Sequence, residues 1–381
     1  MSFKEVLESK NLDYTATNID YQRFPSIYAS LKDNLQNSAK KIQLIGTNGK
    51  GSTGRFVALL LRKEGFNVAH FTSPHISDIR ERFWYNGNLI STDLLDSANQ
   101  ELCELIHPDK LSYFEYCFLI FLLAFRDCDY MVIEAGLGGE YDATSTLTYD
   151  IQLITKIGLD HQSFLGNTVK KIATTKLKAI DKKAIIGIQD KEEVEIVAKS
   201  LNKDISYLDT NINIINKKYN IDEFVEANSL AKYFKENIAL ALACIEYLDI
   251  TTTLEDIKFD LQARLQKISD NLYIDVGHNV SAANEILKHF KNKKINLIYN
   301  TYKDKEYENI LAILKPIIKK VYLFEITHPR IEKPQNLIQA FKNVGLDYAV
   351  FDRILDEEKY LVFGSFTLIE KFLKHRKIIE A

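Results

Sequence analysis

Ile42-Gln-Leu-Ile-Gly-Thr-Asn-Gly-Lys-Gly-Ser-Thr53 joins four residues of buried-strand character to a loop of three glycines, one lysine and two closing hydroxyls. Arg55-Phe-Val-Ala-Leu-Leu-Leu-Arg-Lys63, of helical character, follows at once. A strand, a glycine loop and a helix N-terminus make a phosphate cradle, because loop N–H groups and the helix dipole point at the anion. Lys50 is placed to reach terminal phosphate oxygens, and Ser52 or Thr53 a phosphate or its Mg²⁺. The lysine precedes Gly51, so the spacing differs from the common G-x-x-x-x-G-K-[ST] pattern.

Outward from this loop, short apolar runs alternate with helical patterns. The strands expected are Ile42–Ile45, Val68–Phe71, Tyr130–Ile133, Leu153–Ile157 and Ala184–Ile186, then Leu272–Asp275, Ile295–Tyr299, Val321–Glu325, Tyr348–Phe351 and Tyr360–Phe363. Runs that are apolar throughout predict strands covered on both faces. Their alternation with helices predicts an α/β architecture with a doubly wound, mostly parallel sheet. A boundary is expected near residue 260, after the helical run Glu236–Tyr247 and before a fresh strand-helix alternation at Leu272. That gives a larger N-terminal domain, 1–260, and a smaller Rossmann-like α/β domain, 261–381. Residues 188–226 read as short strands and turns.

The 381 residues suffice for two or three domains, and 46% hydrophobic with 27% charged content describes a chain with a large core. The net charge of −3, without blocks of like charge, argues against nucleic acid or an anionic membrane as partner. Cys103, Cys117, Cys128 and Cys244 show no C-x-x-C spacing, which points to a reducing, cytoplasmic setting. Met1-Ser-Phe-Lys-Glu-Val lacks the apolar run of a signal peptide. Cys117–Phe125, nine apolar residues, is too short for a membrane span, which needs roughly 20, and is expected as a core helix.

Three further segments end strands on polar groups. Thr72-Ser-Pro-His75 puts a hydroxyl, Ser73, at a strand's carboxyl end, where ligands of open α/β sheets bind. Asp129-Tyr-Met-Val-Ile-Glu-Ala-Gly-Leu-Gly-Gly139 ends a strand on Glu134, a hard oxygen ligand suited to Mg²⁺, followed by glycines that permit close approach to a ligand. Ile154-Thr-Lys-Ile-Gly-Leu-Asp-His161 places Asp-His after a third strand, suited to metal or water. Lys176 falls on the helical stretch 168–179, where by itself it reads as a surface lysine.

Together these pieces resemble the Mur-ligase-like ATP-dependent amide ligases, and within them the folylpolyglutamate synthase/dihydrofolate synthase family. The motifs are Gly-Thr-Asn-Gly-Lys-Gly-Ser (46–52), Thr-Ser-Pro-His (72–75), Glu-Arg-Phe (81–83), Leu-Ser-Tyr-Phe-Glu-Tyr (111–116), Glu-Ala-Gly-Leu-Gly-Gly (134–139), Asp-Ala-Thr (142–144) and Ile-Gly-Leu-Asp-His (157–161). Glu-Asn-Ile-Ala-Leu-Ala-Leu-Ala (236–243), Asp-Val-Gly-His-Asn (275–279), Lys-Asp-Lys (303–305) and Gly-Ser-Phe (364–366) continue the series.

The resemblance implies that Asn48, Gly49, Lys50, Gly51 and Ser52 hold the ATP phosphates and that two Mg²⁺ take part. Ser73 and Glu134 match ligands of one, and His161 of the other. Lys176 matches a lysine that the family carbamylates into a metal-binding group. Asn237, Arg264 and Asp275 match ATP contacts. Ser112, Tyr113, Phe114 and Glu115, with Tyr141, Asp142 and Ala143, match the pterin-binding segments of members that also make dihydrofolate. His278 and Ser365 lie in motifs facing the glutamate entrance. Three departures stand out: Thr175-Lys176-Leu177 replaces Glu-Lys-Ala, Gln262-Ala-Arg264 replaces Pro-Gly-Arg, and Val280 follows Asn279 in place of proline.

The implied reaction activates a pteroate or folate carboxylate as an acyl phosphate, which the amine of L-glutamate then attacks. The expected partners are thus small molecules, on a monomeric enzyme. Two other readings compete. Another Mur-type amino-acid ligase is disfavoured by the pterin-segment matches. A P-loop regulatory protein would carry an Asn/Thr-Lys-x-Asp guanine reader, and Thr155-Lys156-Ile157 is followed by Gly158.

Overall fold

The apolar-throughout runs become the centres of two sheets in the computed structural model, which describes residues 2–9 and 21–379. Strands β1 (Lys40–Ile45), β2 (Val68–Phe71), β3 (Phe83–Tyr85), β4 (Asn88–Leu89), β5 (Tyr130–Glu134), β6 (Ile151–Ile154), β7 (Lys183–Ile186) and β8 (Asp204–Tyr207) form the first. Their order is β4-β3-β2-β5-β1-β6-β7-β8. The pairings from β2 to β8 are parallel, and β3 and β4 add an antiparallel edge. Ile42, Leu44 and Ile45 of β1 are fully buried between the helical layers.

The chain leaves β1 for β2 on one side and later fills the other side with β6, β7 and β8, so the strand order reverses at β1. Ligands of open α/β sheets bind at the strands' carboxyl ends at such a point. The helix Lys50–Lys63 begins directly there. The helix Tyr113–Ala124 has no polar face; nearly all of it is buried, joining Phe71, Phe83 and Tyr149 in one core. Cys117–Phe125 is thus a core helix, and among the described residues no helix is long and apolar enough to cross a membrane.

The second sheet holds β9 (Gln266–Ser269), β10 (Leu272–Asp275), β11 (Ile295–Tyr299), β12 (Ile318–Leu323), β13 (Tyr348–Val350) and β14 (Tyr360–Phe363), ordered β13-β12-β11-β14-β10-β9. It is parallel except for β9. The chain divides into two compact units: Met1–Ile157, Val169–Ile221 and Glu236–Phe259 in the first, and Gly158–Thr168, Asp222–Lys235 and Asp260–Ala381 in the second.

The reading of 188–226 as strands and turns is corrected. The segment forms the helices Glu192–Lys199, Ile212–Tyr219 and Ile221–Ala227, with β8 between them. Val194, Val197 and Ala198, three and four apart, make the buried stripe of the first helix. Strands β4, β8 and β9 bury no residue fully, which removes the apolar run that would reveal them.

Candidate active site

The phosphate loop is set by its backbone. Gly49, just before the helix, has φ +88°, a left-handed conformation that a side chain would strain, and a Cβ there would lie 2.7 Å from Asn237 Oδ1. Asn237 is therefore brought against the loop. The N–H groups of Thr47 and Asn48 donate to the Lys156 carbonyl at 2.9 and 3.1 Å, tying the loop to the segment that follows β6. Gly51, Ser52 and Thr53 are buried in the helix's first turn, and Thr53 Oγ1 has no hydrogen-bond partner.

Glu134, at the end of β5, is 5% exposed. Its Oε2 accepts from the Thr72 hydroxyl and, at 3.0 Å, from the Ser73 N–H. Its Oε1 faces Lys50 Nζ at 3.9 Å, and Lys50 also donates to the Gly46 and Thr47 carbonyls. Lys176 is buried rather than on the surface, and its Nζ donates to the carbonyls of Gly46 at 2.8 Å and Gly138 at 3.2 Å. Gly139 allows this, since its Cα packs directly on the backbone of Thr175 and Lys176. The structure thus gathers Asn48 to Ser52, Ser73, Glu134, Lys176 and Asn237 around one loop.

These groups fit a phosphate with its magnesium. Glu134 is a nearly buried carboxylate fixed by two donors beside a lysine, and Mg²⁺ takes one or two carboxylates and completes its shell with water and phosphate. Among the described residues no three His, Cys, Asp or Glu side chains converge, so a metal here would lean on such oxygens.

The two segments matched to pterin binding meet the glycine loop after β5. A Cβ on Gly136 would lie 2.7 Å from the Phe114 ring, and Asp142 accepts from the Leu137 N–H at 2.7 Å. Burial pushes the Asp142 carboxyl up, against the pull of its Thr144 and Leu137 donors. Ser112 and Glu115 form a capping box on the helix Tyr113–Ala124, and Glu115 also takes a two-pronged bond from Arg23 at 2.8 and 3.0 Å. Their side chains thus have work in the fold, which the S-x-x-E spacing signals. Tyr113 is buried beneath the Arg82 guanidinium, Ala143 is partly buried, and Tyr141 is exposed with its ring on Tyr21. Arg82 Nε donates to His75 Nδ1 at 3.0 Å, and burial lowers His75 to about 4.

In the second unit, Asp160 accepts from Lys305 Nζ at 2.6 Å, Asn279 Nδ2 at 3.1 Å and the His161 N–H at 2.8 Å, with His278 Nε2 at 3.6 Å. Burial raises Asp160, but His278, His161 and Lys305 together hold it well below the usual carboxylate range. His161 sits at φ +48° before a short helix. Nothing in the sequence pairs Asp160 with a lysine 145 residues away, so this cluster emerges only from the fold. Asp275 accepts from Leu265 N at 2.7 Å and Gly277 N at 2.6 Å, and burial raises its carboxyl. Arg264 lies over the Phe366 ring, and Ser365 caps the last helix through Leu368 N at 3.1 Å.

Residues 45–245 match the Mur ligase middle domain. The crystal structure of Helicobacter pylori folylpolyglutamate synthetase is 36% identical, with a TM-score of 0.77 and 98% of each chain covered. The chain belongs to this family. Buchnera aphidicola (subsp. Schizaphis graminum) dihydrofolate synthase/folylpolyglutamate synthase is 27% identical over 366 residues, covering 86% of each protein. The bifunctional folylpolyglutamate synthase/dihydrofolate synthase of Yersinia pestis, solved with AMPPNP and a Mn ion, shares the fold at 21% identity and a TM-score of 0.82, over 99% of this chain and 98% of that one. The doubly wound sheet and second α/β unit are thus the family's fold.

Proposed function

We propose that the chain is an ADP-forming ligase that joins L-glutamate to the carboxylate of dihydropteroate, and to that of a tetrahydrofolate (poly)glutamate. The observation that carries this reading is Lys50 and Glu134 facing each other at 3.9 Å across the phosphate loop, with the Ser73 amide on the same carboxylate. A switch protein needs a guanine reader, whereas this loop assembles charges for moving a phosphoryl group.

A carboxylate oxygen of the acceptor attacks the ATP γ-phosphorus. The O–P bond forms as the bond to ADP breaks. The glutamate nitrogen then attacks the acyl carbon, phosphate leaves, and the nitrogen gives up a proton. Lys50 and the loop amides offset charge on the transferring group. We assign Ser73 and Glu134 to one Mg²⁺ and His161 to a second; the metal would neutralise phosphate charge. Lys176 is assigned as a carbamate. In the second unit, His278 Nδ1 bonds the Val276 carbonyl, so Nε2 is the nitrogen able to take the amine proton. Asn237, Arg264 and Asp275 remain the proposed nucleotide contacts, and Ser365 a glutamate contact. The four cysteines are unpaired, which supports a cytoplasmic site of action; we take the enzyme as a monomer.

Purified protein given ATP, Mg²⁺, dihydropteroate and glutamate should release ADP and form dihydrofolate, and chelation of the metal should stop both. Glu134→Ala and Lys50→Ala should each lower turnover by roughly 100-fold or more. Absence of ADP release with every acceptor, or full turnover in Glu134→Ala, would sink the assignment.

A further inference from the structure

Arg82 is a charged group whose neighbours leave it without a counter-charge. It sits directly before β3, 4% exposed, its backbone carbonyl bonded to the Thr72 N–H beside the Glu134 site. A guanidinium is always charged and presents five donors. Here Nε is spent on His75 Nδ1, and because Arg can only donate, that nitrogen is unprotonated. The other face of the group covers the neutral ring of Tyr113 at 5.1 Å.

The nearby carboxylates are committed elsewhere. Asp78 is paired with Arg80 at 2.7 Å. Glu81 takes the N–H groups of Ile76, Ser77 and Asp78 at 2.8 Å each. Glu115 is held by Arg23. Among the described residues no acid lies within ion-pairing distance of Arg82, and none accepts from its two terminal nitrogens. A planar pair of terminal nitrogens matches a carboxylate in two-pronged fashion.

We infer that Arg82 is the anchor for a carboxylate of the acceptor, between the phosphate loop's Ser73 side and the Tyr113–Phe114 side of the pterin segment. This rests on the ligase reading above. A pteroate has one such group, the one that reacts. A folate adds the α-carboxylate of its glutamate, which does not. Arg82 holds and orients the carboxylate that reacts, and it selects against uncharged pterins.

The test compares wild type, Arg82→Gln and Arg82→Lys. Direct binding of pteroate and of its neutral carboxamide is measured by calorimetry, with KM and kcat for dihydropteroate, tetrahydrofolate and ATP beside it. Wild type should prefer pteroate to the amide by roughly 10- to 100-fold, as a charge-assisted bond implies, and Arg82→Gln should lose that preference. Arg82→Lys, keeping the charge without the fork, should fall between. A KM rise for both acceptors is expected, because both carry the carboxylate that reacts; a rise for tetrahydrofolate alone overturns the inference. An undiminished preference in Arg82→Gln, or a change confined to ATP, overturns the inference. Failure of the ligase reading shows separately, as a wild type that binds pteroate and releases no ADP.

Discussion

Replacing Gly139 with alanine tests whether the glycine loop after β5 sets the position of Lys176. A Cβ there would lie 2.6 Å from Lys176 Cα, 2.7 Å from its carbonyl oxygen and 2.8 Å from that of Thr175. All three are backbone atoms, so no rotamer relieves the clash. The helix Val169–Leu177 must retreat by about 0.8 Å, the difference between an ordinary 3.4 Å contact and 2.6 Å. Overpacking of this kind costs roughly 1–3 kcal/mol, and at roughly 2–4 °C per kcal/mol the melting midpoint should fall by about 2–12 °C. The retreat also draws Lys176 Nζ from the Gly46 carbonyl, now 2.8 Å away. A misplacement near 1 Å at a reacting site costs roughly 100-fold, so kcat for ADP release should drop by about that factor. Gly65→Ala is the matched control. Gly65 has φ +90° with nothing within 4 Å of a Cβ, so alanine there strains only the backbone, by roughly 1–2 kcal/mol. Calorimetry and a coupled ADP assay on both variants decide the matter. Equal losses of kcat in the two, or a Gly139→Ala enzyme with wild-type kcat, would refute the reasoning.

Ser229 follows the helix Ile221–Ala227 at φ +52° and is exposed, so Ser229→Gly should stabilise the second unit by about 0.5–1 kcal/mol in urea unfolding, after the chain entropy of glycine is subtracted. Ser365→Ala removes the cap on Leu368 N and should cost about 1 kcal/mol in the same assay, whatever it does to the KM for glutamate. His70 is fully buried, and burial, reinforced by Arg55, lowers its pKa well below the ordinary value. The unfolded chain therefore binds a proton near pH 6.5 that the folded chain does not. Stability should be lost as pH falls below that value, by roughly 1.4 kcal/mol per pH unit, until the folded pKa is reached. Unfolding curves at pH 7 and pH 5 should show this slope on top of a like one from the buried His75, and His70→Phe should lose its own share only.

The central strands were legible because burial on both faces writes an unbroken apolar run, as in Tyr130–Ile133 and Tyr360–Phe363. Strands β4 and β8 lie at the ends of the first sheet, where half-exposed side chains carry no such mark. The phosphate loop was legible because its chemistry is local: glycine, lysine and hydroxyl within a few residues. Lys176 shows the limit. Its place on a helix pointed to solvent, and only the approach of Gly139 and the Gly46 carbonyl shows it buried at the loop. Ser112 and Glu115 carry a capping spacing that was readable and that family likeness alone passes over. Arg82 and Asp160 stand in motifs the sequence shows, but their surroundings could not be found in advance, since what distinguishes them is which acids and bases the fold sends to them, or withholds.

The chain passes between its two units five times, because residues 158–168 and 222–235 belong with the C-terminal unit while their flanks belong with the first. Biosynthesis feels this. At about 5–20 residues per second on the ribosome, β1 to β7 emerge well before Glu236–Phe259 completes their unit, and residues 158–168 wait until Asn279 and then Lys305, the partners of Asp160, have been made. No single cut in the gene separates the units without stranding one of these segments. Recombination can therefore exchange the ligase as a whole, but it cannot trade either unit as a module.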